Sequence, residues 1–275
     1  MDYELEPTIK SLLEEAKYPK NLFVSLCVQD NEFPDLETLF ENFGVSYNYE
    51  KMNYLDSRGV GFARHRAQMH LSDKYKYYLQ VDSHTQFEKN WDIRMIKDYE
   101  AMHKNFGKCI MSSYPPAYEV DGNEVSLFQN GRIPPVVKIV DSDTETLFEA
   151  KYTNYIGGTE GQVTGYFCAG LAFGYSAYFL KVPYDPNIYF QGEEHTMSIR
   201  FWRNDILIVC PPDIYLYHDY KGNNRKRHWD TNPMKDKLMR DSTERVKYIL
   251  AGFMRDKYSI GQFDYGMWAN KYLSR

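Results

Sequence analysis

Two hydrophobic periods alternate along this chain, and their switches mark a series of strands and helices in α/β order. Ile9, Leu12, Leu13 and Ala16 recur at helical spacing, which predicts an amphipathic helix over 8–17. Asn21 to Gln29, NLFVSLCVQ, is an apolar run expected of a strand buried on both faces, and Asp30-Asn31 end it. Pro34-Asp35 then open a helix marked by Leu36, Leu39, Phe40 and Phe43. Residues 45–57 give a short strand and a loop. The next helix shows a face of Val60, Ala63, Ala67 and Leu71. Tyr75, Tyr77, Leu79 and Val81 alternate with Lys76, Tyr78 and Gln80, the period of an extended segment with two distinct faces.

Trp91, Met95, Tyr99, Met102 and Phe106 trace a long helix, and Lys108 to Tyr114 the strand after it. Pro115 to Pro135 reads as an irregular surface insertion, suited to a lid or an acceptor-binding region. Residues 136–140 and 145–152 look like strands. Asn154 to Gly165 is glycine-rich without the lysine and spacing of a P-loop, so it predicts a flexible connection. Gly170 and Gly174 interrupt the apolar stretch from Val163 to Leu180 and call for a bulge or a close backbone approach. Asp185-Pro186 marks a turn, and Met197 with Phe201 and Ile199 with Trp202 fit a helix. Two short strands, ILIVC and IYLYH, lead to His218-Asp219-Tyr220. A basic stretch, KGNNRKRHW, and a helix through Val246, Ile249, Leu250 and Phe253 complete the pattern. No internal repeat or low-complexity linker breaks it, so a single α/β domain over 1–275 is the simplest architecture.

Composition narrows the class. The 275 residues are 43% hydrophobic and 26% charged, ordinary for a soluble globular protein. The net charge of −5 argues against nucleic acid as a bulk electrostatic partner. No stretch approaches the ~18 apolar residues of a membrane span. The acidic, periodic N-terminus is unlike a signal peptide, so a cytoplasmic protein with no membrane partner is expected. Cys27, Cys109, Cys168 and Cys210 are far apart in apolar contexts, which predicts buried free thiols. The 25 tyrosines suit strands and wet grooves and name no ligand.

Three places carry candidate chemistry. Asp82 and His84 are two apart, so an extended chain projects both to one side of a strand end. A carboxylate and an imidazole there can hold a divalent cation, and open α/β sheets bind ligands beyond the carboxyl ends of strands. The same residues equally make a turn in which Asp82 caps the next helix. In RGVGFARHRA, Gly59 and Gly61 sit near a helix start while Arg58, Arg64 and Arg66 lie off its apolar face. Such glycines let a backbone approach a phosphate that arginines clasp; a tight loop with solvated arginines fits the pattern too. Gly192-Glu193-Glu194 opens a helix, where carboxylates are electrostatically welcome.

Taken in order, the segments LFVSLCVQD, RGVGFARHRA, YYLQVDSHTQFEKNWD, CAGLAFG, VPYDPNIYFQGEEHTMSIRFW and YHDYKG resemble a known family. They are similar to the N-acetylglucosaminyltransferases of the nucleotide-diphospho-sugar transferase (GT-A) fold. That group includes the cytoplasmic enzyme that modifies hydroxyproline on a ubiquitin-ligase adaptor. The likeness runs from about residue 21 to 230; the QVDSH and GEE segments carry most of its specificity. It implies a central mixed sheet and a retaining transferase that uses a UDP-sugar, UDP-GlcNAc above all, with Mn2+ or Mg2+. It also implies that the family's aspartate-x-aspartate-type motif falls on Asp82-Ser83-His84 and that His218 completes the metal site. The segment 115–160 shows no trusted match, so the acceptor does not follow from the likeness.

Elementary chemistry agrees with that implication. A nucleoside diphosphate leaves readily only when its charge is neutralised, and a cation bridging the phosphates does this. Arg58 or Arg64, with Arg225 or Arg227, are candidates for further bonds to the diphosphate, and the loop 221–229 for a lid. The strand end from Ser25 to Asp30 would receive the uridine, with Ser83 and Gly170 also at the donor. Helical geometry sets Glu193 and Glu194 about 100° apart, so one of them, Glu194 by preference, would face the sugar. Asp219 and Trp91 are expected to be structural. His65, His70, His103, His195 and His228 show no partner pattern and are expected on the surface or in loops. The expected acceptor is a hydroxylated protein side chain. The alternatives are a glycan, hydroxymethylated DNA bases served by the basic stretch Lys221–Arg227, or a silent sugar-nucleotide-binding module.

Overall fold

The structure, a computed structural model, describes residues 3–121, 124–127, 136–140, 149–153, 161–222, 230, 232–262, 268 and 271–272. Five strands form the central mixed sheet: β3 (Tyr77–Val81), β5 (Cys109–Ser113), β10 (Gln162–Val163), β11 (Leu171–Tyr175) and β12 (Leu207–Cys210). Their order is β10-β12-β5-β11-β3, with β12 parallel to β5 and β11 antiparallel to both β5 and β3. β1 (Phe23–Gln29) and β2 (Ser46–Met52) form a separate parallel pair, in register from Phe23 with Ser46 to Gln29 with Met52. β4 (Thr85–Phe87) pairs antiparallel with β13 (Leu216–His218).

Strand alternation divides the interior between two cores. Cys109, Met111, Leu171, Phe173 and Val209 pack with Trp91, Met95, Tyr99 and Met102 of α4 (Trp91–Phe106). The first core also takes in α1 (Leu5–Glu14) and α2 (Leu36–Phe43). The intervening residues Ile110, Ala172 and Ile208 pack on the other side with Phe179 of α5 (Ser176–Lys181) and with Met197 and Phe201 of α6 (Glu193–Arg203). On β3, Leu79 and Val81 belong to the first side and Tyr78 to the second. The same alternation turns Gln80 and Asp82 toward α6. α3 (Val60–Gln68) packs against β1, and α7 (Lys235–Leu250) against α6.

The helices at 36–43 and 91–106 fall where their periodicity puts them, and the one at 60–68 stops short of Leu71, the last residue of its predicted face. Other details differ. The first helix begins at Leu5, ahead of the expected residue 8. β1 is half-buried except at Val24, because it pairs with β2 outside the central sheet and lacks a full complement of neighbours. The segment read as irregular holds a hairpin, β6 (Tyr118–Asp121) with β7 (Glu124–Leu127). β8 (Val136–Val140) and β9 (Glu149–Thr153) form a second hairpin. Most of the glycine-rich connection and the loop 223–229 lie outside the described residues. Cys109, Cys168 and Cys210 are buried free thiols and Cys27 is a half-buried one. No helix among the described residues is long and apolar enough to cross a membrane.

Candidate active site

The site is built where β3 runs out. Asp82-Ser83-His84 link β3 to β4, and β4 pairs with β13 so that His218 lies opposite Thr85. Asp219 N donates to His84 O at 3.0 Å, extending the pairing past the strand end. Thr85 Oγ1 donates to Asp82 O at 2.9 Å and tightens the turn. The result brings one ligand atom each from Asp82, His84 and His218 to within 4.8 Å of one another. His218 Nε2 is 3.1 Å from Asp82 Oδ2, and the two imidazole centroids are 4.5 Å apart.

The other oxygen of Asp82 faces Arg64. α3 brings this guanidinium in from the side, and it forms ion pairs with both Asp82 and Glu193. Only 12% of the Arg64 side chain is exposed, so this arginine is a buried bridge and not a solvated one. Burial opposes the charge on Asp82, yet Arg64 and then His218 outweigh it and hold the carboxyl well below the usual carboxylate range. Glu193 responds oppositely. Its carboxyl is pushed up to about 7: burial raises it most, Arg64 works against the rise, and the charges of Glu194 and Asp82 add to it. Its Oε2 is buried with no hydrogen-bond partner among the described residues.

The sign of this shift gives a testable pH effect. Glu193 holds its proton more tightly in the folded chain than at its ordinary value of 4.5. Its contribution to stability is therefore complete below that value and is lost as pH rises through about 7. Glu193→Gln is expected to flatten that part of the profile, measured by denaturant unfolding between about pH 5 and pH 8.

Glu194 sits in a different nest. Its Oε1 accepts the Ala169 N–H at 2.8 Å, and its Oε2 accepts the hydroxyls of Tyr114 and Tyr166. Burial raises its pKa, while Tyr114 and then the Ala169 N–H work against the rise. The two glutamates thus diverge from the helix start, Glu193 to α3 and Glu194 to the loop before β11.

The remaining candidates are placed as follows. Gly59 has φ +88°, and a Cβ on it would lie 2.2 Å from Tyr189 O; one on Gly61 would lie 2.2 Å from Ile188 O. Val60 N also donates to Tyr189 O at 3.0 Å. The close approach these glycines permit within the fold is to the main-chain carbonyls of Ile188 and Tyr189, the tight packing that the loop reading of this segment expects. Arg58 is exposed, with its guanidinium 5.3 Å from the Phe62 ring. Ser25 lies in mid-strand, and it is Gln29 that reaches the end of β1, bonding Arg58 N at 2.9 Å and Gly59 O at 3.1 Å. A Cβ on Gly170 would lie 2.8 Å from Pro115 Cδ, so its approach is to that proline. Ser83 Oγ is 3.4 Å from His84 Nδ1. Arg225, Arg227 and His228 lie outside the described residues.

Asp219 caps the turn after β13 through Lys221 N and Gly222 N, and Trp91 donates from the core to Leu12 O. His65 and His103 depart from the surface expectation: they bond Tyr184 O and the Tyr178 hydroxyl. Tyr114, Tyr166, Gln29 and Tyr184 escaped sequence reasoning. No local pattern marks a tyrosine that meets its partner, as Tyr114 meets Glu194, eighty residues further on.

The donor set suits a divalent cation. One charged carboxylate and two imidazoles are ligands that Mn2+ accepts, and they leave positions open for oxygens of a ligand. Asp82 Oδ2, turned away from Arg64 and toward His218, is the oxygen that would meet such a cation.

A mixed sheet between helices, with Asp82, His84 and His218 gathered beyond a strand end, is an arrangement of the GT-A fold. The chain's likeness to a solved member carries the fold: the crystal structure of GalNAc-T7 with UDP, GalNAc and Mn2+ superposes with a TM-score of 0.61 at 16% identity. That alignment covers 90% of this chain and 47% of the neighbour, so this chain spans about half its length. S. aureus TarS 1-349 aligns at a TM-score of 0.46 and 13% identity, over 90% of this chain and 69% of that one. A search of curated proteins by sequence gave no match. The chain belongs to the Glycosyltransferase (GlcNAc) family, whose model matches residues 33–272.

Proposed function

We propose that this glycosyltransferase moves N-acetylglucosamine from UDP-GlcNAc to a hydroxyl on a protein side chain, with retention at the anomeric carbon and with Mn2+ as cofactor. The observation that carries this reading is the convergence of Asp82, His84 and His218 within 4.8 Å at a strand end of a chain in this family. These three side chains would hold the cation, which supplies charge neutralisation for the departing diphosphate. That the neighbour GalNAc-T7 was solved with UDP and Mn2+ supports the same pairing of donor and metal. A protein acceptor suits a chain of net charge −5 better than a polyanion does.

The chain's own residues divide the remaining work. Arg64 keeps Asp82 ionised and oriented. Glu193 fixes Arg64 from behind. Glu194 is the carboxylate that faces the donor sugar, oriented by Tyr114, Tyr166 and Ala169 N. Glu194→Gln is expected to lower kcat about a hundredfold while UDP binding by calorimetry stays near wild type, as for loss of a preorganised polar contact at the reacting centre.

Donor hydrolysis across a panel of UDP- and GDP-sugars, with and without Mn2+, tests the whole reading. Selective Mn2+-dependent turnover of UDP-GlcNAc is the expected result. Turnover of a different sugar nucleotide overturns the donor, and equal turnover in EDTA overturns the metal. Transfer to hydroxyproline peptides, with the anomer read by NMR, tests the acceptor and the retention.

A further inference from the structure

Helix α1 meets β4 with hydroxyl groups where a sheet would supply another strand. β4 gives one edge to β13. On its other side, Thr85 N donates to Thr8 Oγ1 at 2.8 Å and Phe87 N to Ser11 Oγ at 2.8 Å. Thr8 Oγ1 in turn donates to Ser83 O at 2.9 Å. One hydroxyl therefore holds the peptide groups on both sides of His84. Thr8 is 2% exposed and Thr85 is 0% exposed, so these bonds are shielded from water that would otherwise replace them. A helical threonine commonly turns its hydroxyl back onto its own helix; here it reaches out to the loop. Thr8 and all of α1 precede the segment 33–272 that the family model matches.

We infer that Thr8 is a positioning residue for the cation site: its hydroxyl fixes the chain around His84 and so sets where the imidazole meets Asp82 and His218. The inference rests on the metal reading above. His84 has no strand of its own to hold it, since β3 ends at Val81 and β4 begins at Thr85. Asp219 N ties down His84 O, and Thr8 ties down the two flanking peptides. Ser11 makes a similar bond two residues further along, where it touches no peptide of the ligand loop.

The test is Mn2+ binding to the full chain at fixed UDP, read as loss of the free-ion EPR signal beyond that caused by UDP alone. Thr8→Val keeps the shape and removes the hydroxyl. It is expected to weaken Mn2+ binding about tenfold or more, as loss of supporting contacts around metal ligands does. Thr8→Ser restores the hydroxyl and is expected to restore affinity. Ser11→Ala, which loses a comparable bond, is expected to leave it near wild type. Should Thr8→Val fail to fold, Thr8→Cys takes its place, with a thiol that fills the site and bonds weakly. Wild-type affinity in Thr8→Val, or equal weakening in Ser11→Ala, overturns the inference while leaving the metal reading intact. No Mn2+ uptake by the wild-type chain overturns the metal reading and the inference with it.

Discussion

Asp82→Ala is expected to abolish Mn2+-dependent turnover of UDP-GlcNAc, a loss of about a thousandfold or more, with the fold retained. Two features set the size of the effect. Asp82 is the one carboxylate in the trio with His84 and His218, so its loss leaves two neutral-capable imidazoles to hold a dication. Charge neutralisation by a cation contributes several kcal/mol to a reaction of this kind, and about 4 kcal/mol is a thousandfold in rate. The fold survives because Arg64 keeps its ion pair with Glu193, which limits the cost of losing a carboxylate that its neighbours hold ionised. Mn2+ binding by EPR and the unfolding midpoint separate the two effects. A variant with wild-type turnover at equal Mn2+ shows that the trio is not the metal site, and one that is unfolded shows that Asp82 is chiefly a structural charge. His84→Ala gives the same test with less disturbance, since Arg64 keeps both its carboxylates.

The strands that frame this site were legible because burial on a sheet leaves a period of two. Leu79 and Val81 against Tyr78 and Gln80 is visible without coordinates, and it ends where the ligands begin. The Asp82 and His84 pair was legible as well, being local. His218 stood out by resemblance to a family and not by any spacing, since 136 residues of chain separate it from Asp82. The bridge from Arg64 to Glu193 spans 129 residues and could not be read at all. On helical spacing Arg64 lies off the apolar face and looks solvated. Its guanidinium lies 5.8 Å from the Tyr184 ring, and the carbonyls of Ile188 and Tyr189 in the same segment close over Gly59 and Gly61. The glycine pair was informative, but its partner was the protein's own backbone. Thr8 was invisible for a similar reason: one threonine on an amphipathic helix has no signature until the loop it holds is in place.

Arg64→Met is expected to be the most destabilising single change at the site, by about 3–5 kcal/mol, because it leaves a charged partner buried without its counter-charge. The methionine fills most of the volume, so the loss is electrostatic and not a cavity. Asp82 keeps His218 beside it, whereas Glu193 keeps nothing: its Oε1 loses Arg64, and its Oε2 has no partner among the described residues. Glu193, whose carboxyl is already pushed up to about 7, is then expected to take up a proton and stay neutral at physiological pH. That response makes the double variant decisive. Arg64→Met with Glu193→Gln removes both members of the buried pair, and it is expected to recover a large part of the stability lost in Arg64→Met alone. Denaturant unfolding of the two single variants and the double variant at pH 8 measures the coupling. Additive losses would mean that Arg64 serves Asp82 alone. Arg64→Lys is expected to fall short of wild type, because a single ammonium lacks the fork that reaches α6 and the end of β3 at once. Even where the double variant regains its stability, turnover is expected to stay low, since the guanidinium that holds Asp82 ionised is still missing.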